Sequence, residues 1–156
     1  MAKKVKAKKG QIIDLVVLLL GIAAICMMFL TAVNYTGSYF GSTSAFTGTE
    51  IIFGDENGVF AFSFMAMLPY LLTLIGVVLV VLKLFNVFDL ELIAFIAFVV
   101  AAVFFFITPS FVVIADQTAD KLIRLAGSFS LGVGSILAGV FSALSGLAVL
   151  AKKFVK

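Results

Sequence analysis

The side chains able to do chemistry are few, and most lie in one polar stretch. Glu50, Asp55, Glu56 and Asn57 supply oxygen ligands of the kind that hold a hard cation. The same residues, around GDENG, also read as a solvated turn in which glycine supplies a positive φ. Just upstream, GSTS at Gly41–Ser44 offers hydroxyls with no lysine or histidine nearby to activate them. Gly132, Gly134 and Gly139 lack the spacing of a phosphate loop and fall in an apolar run. Asn34 opens NYT, the form of a glycosylation acceptor, but close to an apolar segment. Cys26 is the single cysteine, which excludes an intramolecular disulfide and gives no thiolate metal site. There is no histidine, the commonest general base and metal ligand. The sequence therefore predicts no enzyme, and no catalytic, cofactor-binding or metal-binding residue.

What must position these groups is a membrane. Of 156 residues, 63% are hydrophobic and 12% charged, too little polar surface to cover a soluble globule. The basic ends, Lys3, Lys4, Lys6, Lys8 and Lys9 and then Lys152, Lys153 and Lys156, flank apolar runs. That placement sets membrane topology and attracts anionic headgroups rather than nucleic acid.

The expected fold is an all-α integral membrane bundle of four transmembrane helices with a small extracytoplasmic loop cap. A basic tail (1–11) precedes the first span (12–33), whose apolar run is too long for a signal peptide. A polar loop (34–58) leads to a second span (59–85) containing Pro69. A short link (86–91) places Asp89 and Glu91 at the start of the third span (92–108), where a helix dipole favours anions. Pro109 stops or kinks that span. Residues 109–127 hold an amphipathic helix, with Ala115, Ala119, Leu122 and Ala126 at helical spacing and local pairing expected among Asp116, Asp120, Lys121 and Arg124. The fourth span (128–151) ends in a basic tail (152–156).

Four spans put both termini on one side. Nine basic and three acidic residues fall on the side of the termini, against two and five on the other. The termini are therefore expected in the cytoplasm, of a multi-pass protein in the plasma membrane. Asp14, Lys83, Asp89 and Glu91 all lie near helix ends, so no mid-depth charge suggests coupled transport.

Two features point to association. In the fourth span Ser135, Gly139 and Ala143 repeat every four residues, as do Ala138, Ser142 and Gly146. Such small-residue stripes let helices approach closely, within one bundle or between subunits. The polar loop is rich in β-formers punctuated by Gly37, Gly41 and Gly48, and reads as two or three short strands. Its Tyr39, Phe40, Phe46, Ile51, Ile52 and Phe53 must bury on the bundle, on the segment near Leu122, or on a neighbour.

In layout the chain resembles claudin-like tetraspans: four helices, cytoplasmic ends and a strand-forming first outer loop. Their first loop carries tryptophan and a cysteine pair; this chain has neither, so no residue roles carry over. The expected function is a structural or interaction protein that self-assembles as a homo-oligomer through Tyr39, Phe40, Phe46 and the small-residue helix faces. The alternatives are an oligomeric channel and an accessory subunit bound to other membrane proteins.

Overall fold

The computed structural model describes residues 2–38, 43–85 and 90–155, with side chains described between Gly10 and Lys152 in those ranges. Tyr39 and Phe40, and most of the link at 86–91, lie outside the described residues. Among the described residues three helices are long and apolar enough to cross a membrane: α1 (Ala2–Cys26) with the turn that extends it to Phe29, α3 (Phe64–Leu84) and α6 (Val133–Val155). A fourth apolar helix, α4 (Glu91–Phe106), has 16 residues. These four pack as a ring in which α1 touches α3 and α6, and α4 lies between α3 and α6.

One periodicity organises the ring. Besides three glycines, the buried positions of α6 are Ser135, Ala138, Ser142, Ser145, Val149 and Lys152. Their steps of three and four make a heptad seam, the spacing of left-handed bundles with shallow crossings. Asp14, Val17, Gly21 and Ala24 form the same seam on α1. On α3 it runs through Ala66, Pro69, Thr73, Gly76, Val80 and Lys83, and on α4 through Glu91, Ala94, Phe98, Ala101 and Phe105. The seams meet in layers. Val17, Val80, Ala94, Val149 and Phe98 share one cluster, and Thr73 and Ser142 approach each other at 3.5 Å. The Tyr70 ring then meets Phe105 edge-on at 4.8 Å.

Several of the buried hydroxyls between the helices are held by backbone carbonyls. Thr73 donates to Pro69 O at 2.8 Å and Ser142 donates across to Phe98 O at 2.9 Å. Proline cannot donate its own N–H, and a Thr bonded one turn back is a common accompaniment of a bent helix.

A three-stranded antiparallel sheet covers one end of the mostly helical chain, with the strands expected between the first two spans joined by one from further along the chain. Strand β1 (Thr31–Gly37) is central, between β2 (Thr43–Thr47) and β3 (Gly127–Leu131). Its third strand comes from the start of the expected fourth span. GSFSL alternates exposure residue by residue, a period of two that outweighs its apolar content. Helix α6 therefore begins at Val133, not 128. Likewise α1 ends at Cys26, because Leu30 is extended and Thr31–Val33 already pair in the sheet. Helix α3 begins at Phe64, where the Ser63 hydroxyl caps it by accepting from Ala66 N at 3.3 Å.

Between β2 and α3 the short helix α2 (Gly48–Phe53) buries Ile51 and Ile52 under the sheet. Thr47 and Glu50 form a reciprocal capping box at its start, with Glu50 Oε2 accepting from Thr47 N at 2.7 Å. Helix α5 (Gln117–Ala126) follows a 3-10 turn (Thr108–Phe111) and leads straight into β3.

Candidate functional site

Two places concentrate functional potential, one at each end of the ring. At the end away from the sheet, every long helix contributes one charge: Asp14 from α1, Lys83 from α3, Glu91 from α4 and Lys152 from α6. Going round the ring the signs alternate. Lys152 Nζ donates to Asp14 Oδ1 at 2.5 Å and lies 3.3 Å from Glu91 Oε1. Lys83 pairs with the same Glu91 oxygen. Asp14 and Lys152 are each only 6% exposed.

Each charge continues its helix's buried seam. Asp14 lies three residues before Val17, and Lys152 three after Val149, so the periodicity that turns the valines inward also turns the charges inward. Removing ions from water costs several kcal/mol each, and only close pairing offsets it. In the sequence Asp14, Lys83 and Glu91 read as helix-end charges and Lys152 as part of a basic tail. The structure joins them instead. The heptad spacing was the available signal, since it puts all four on the seams.

At the other end lies the cap. Asn34 sits in the central strand and its Nδ2 donates to Leu131 O at 3.4 Å, so NYT is part of the sheet. Glu50 caps α2, and Asp55 organises the following turn by accepting from Val59 N at 2.7 Å and Phe60 N at 2.8 Å. The Phe60 bond foremost holds the Asp55 carboxyl below its ordinary value of 3.8. These acids thus have backbone partners, and among the described residues no group of three potential ligands could hold a metal ion.

Helix α5 is the unusual surface. Asp116 caps it by accepting from Thr118 N at 2.8 Å. Arg124 joins it to the cap: Nε donates to Asp120 at 2.6 Å, Nη2 donates to Val112 O at 3.0 Å, and the guanidinium stands 5.9 Å from the Phe129 ring centre. Ala119 and Ile123 pack on the cap's core, and Tyr35 donates its hydroxyl to Ile123 O at 2.9 Å. Leu122 and Leu125 point away, 63% and 80% exposed.

The small-residue stripes have partners inside the chain. Ser135, Ala138, Gly139, Ser142 and Gly146 are buried and Ala143 is half-buried. A Cβ on Gly139 would come within 3.0 Å of Phe106, and one on Gly146 within 3.3 Å of Val99. Of the loop aromatics expected at an interface, Phe46 is half-buried and packs edge-on against Phe60 at 4.6 Å.

Set beside known proteins, the chain matches no family model, no curated protein and no solved structure.

Proposed function

We propose that this is a four-span membrane protein with a structural role, assembling with further copies of itself through the cap. The shared ends of the helices support the fourth span. Glu91, at the start of α4, sits in the charged layer with the ends of α3 and α6. Phe105, near its other end, joins the cap's core. A helix enclosed by two spanning helices and level with them at both ends crosses what they cross. Its 16 residues reach about 24 Å, and the 3-10 turn to Phe111 lengthens it toward a bilayer core of about 30 Å. The lysine distribution puts the charged end in the cytoplasm and the cap outside. With Cys26 replaced by serine, single cysteines at Thr118 and Lys153 should label from opposite sides; same-side labelling contradicts four spans.

The observation that carries self-association is the exposure of Leu122 and Leu125 on α5. Ser38 N donates to Ala126 O at 2.6 Å and Gly37 pairs with Gly127, so Leu125 stands at the tip of the sheet. From Gly127 to Leu131, where the sheet meets α6, the strand runs about 13 Å. Apolar side chains at that distance from the bundle are poorly explained by lipid contact and well explained by a protein neighbour. The small-residue faces, already covered within the chain, have no part in this reading. Nor does a pore through one bundle, a reading that the full burial of Phe98 and Phe105 does not favour. A cysteine at Leu125, in the Cys26-free background, should form a cross-linked dimer on mild oxidation of native membranes. A cysteine there that stays monomeric, while one at Thr118 is equally unreactive, would refute the contact.

A further inference from the structure

We propose that α1 and α6 form a clamp across the membrane, closed by the Asp14–Lys152 pair at one end and by the β1–β3 seam at the other. Opening the charged end would then loosen the outer seam. This rests on the span arrangement and not on self-association.

The chain connectivity makes the coupling direct. Helix α1 runs into β1 through residues 27–30, and β3 runs into α6 through Gly132 alone. The two helices that carry Asp14 and Lys152 are thus the two that carry the paired strands β1 and β3. Slack at the upper junction is small. Gly132 N donates to Ala32 O at 2.8 Å, and a Cβ on Gly132 would lie 2.3 Å from Thr31 O, a clash with backbone that no rotamer relieves. A Cβ on Gly134 would come within 2.9 Å of Met27 O. At the lower end a Cβ on Gly10 would touch Lys152 Cε at 3.5 Å. The two helices pack on each other, with a glycine at each end where they come close. Two stiff rods joined at both ends transmit a change of angle, because the helix interior does not absorb it.

The asymmetry of the charges says which change matters. Removing Lys152 leaves Asp14 buried without its ammonium partner, and the helix ends must part to let water in. Replacing both members by apolar side chains removes that demand and lets the ends stay together.

Hydrogen exchange of the whole protein in nanodiscs tests this. Lys152→Met should speed exchange by at least about tenfold at the amides of Ser38 and Gly132, which bracket the β1–β3 seam. The β1–β2 seam and the middle of α3 and α4 should change far less. Asp14→Leu combined with Lys152→Met should restore the outer protection. If Lys152→Met fails to insert, Asp14→Asn serves as the opening variant, with the same expectation. Unchanged exchange at Ser38 and Gly132 overturns the proposal. So does an equal increase throughout the protein, which would mean general destabilisation, or failure of the double variant to restore.

Discussion

Phe98 offers the sharpest quantitative test of the layered bundle. Between membrane helices lipid is as apolar as leucine, so stability depends on packing more than on water exclusion. Phe98 is fully buried; its ring meets two glycines and its Cβ a third. A Cβ on Gly76 would fall 2.8 Å from the ring's Cζ, one on Gly21 3.4 Å from Cε1, and one on Gly146 3.4 Å from the Phe98 Cβ. With α1 and α3 against the ring and α6 against its Cβ, the side chain has little room to swing clear. Phe98→Ala should therefore cost about 3–5 kcal/mol through the space it leaves. Gly76→Ala should cost about 1–3 kcal/mol by overpacking, reduced by the gain of up to about 1 kcal/mol that alanine brings to a helix. Together they should cost less than their sum, by about 1–2 kcal/mol, because the new methyl enters the space the ring vacates. Unfolding by steric trapping in bicelles, through each single variant and the double, measures the coupling. Additivity within about 0.5 kcal/mol would refute the socket and the layer register built on it.

Other expectations follow from single residues. The Tyr70 hydroxyl is buried with no hydrogen-bond partner among the described residues, so Tyr70→Phe should be neutral or stabilising by about 1–3 kcal/mol in the same assay; clear destabilisation would mean the hydroxyl is satisfied. Because the folded Asp55 carboxyl titrates below its unfolded value, its support of the turn is fully present above the ordinary 3.8 and is lost as pH falls through the lower folded value. Amide exchange at Val59 and Phe60, corrected for intrinsic rates, should thus stay protected down to about pH 4 and open below it, whereas Asp55→Asn should remove that pH dependence. Gly132→Ala should abolish the β1–β3 seam, read as loss of amide protection at Ser38, since its methyl would strike the Thr31 carbonyl.

The helical part of this fold was legible because long apolar runs leave few options, and α1, α3 and α6 fall within the expected spans apart from their ends. Those ends were misread where hydropathy and periodicity disagree. Residues 31–33 and 127–131 are apolar enough to extend a span, yet their β-branched or alternating pattern places them in strands. The pairing of β3 with β1 joins segments nearly a hundred residues apart, and no local signal announces such a contact. The polar pattern was readable in part, in the turn at Asp55 and the ion pair of Asp120 with Arg124, but residues read as loop strands form the capped helix α2 from Gly48 to Phe53. The charged layer was not found, because proximity to helix ends suggested solvent. Attention to steps of three and four, from Asp14 to Ala24 and from Ser135 to Lys152, would have turned those side chains inward.

The claim of assembly through the cap is tested most directly by native mass spectrometry of the protein released from nanodiscs, wild type beside Leu122→Ser/Leu125→Ser. The account predicts a defined homo-oligomer for the wild type and a folded monomer for the double variant. A wild-type monomer, or an oligomer that the double variant leaves intact, would contradict it.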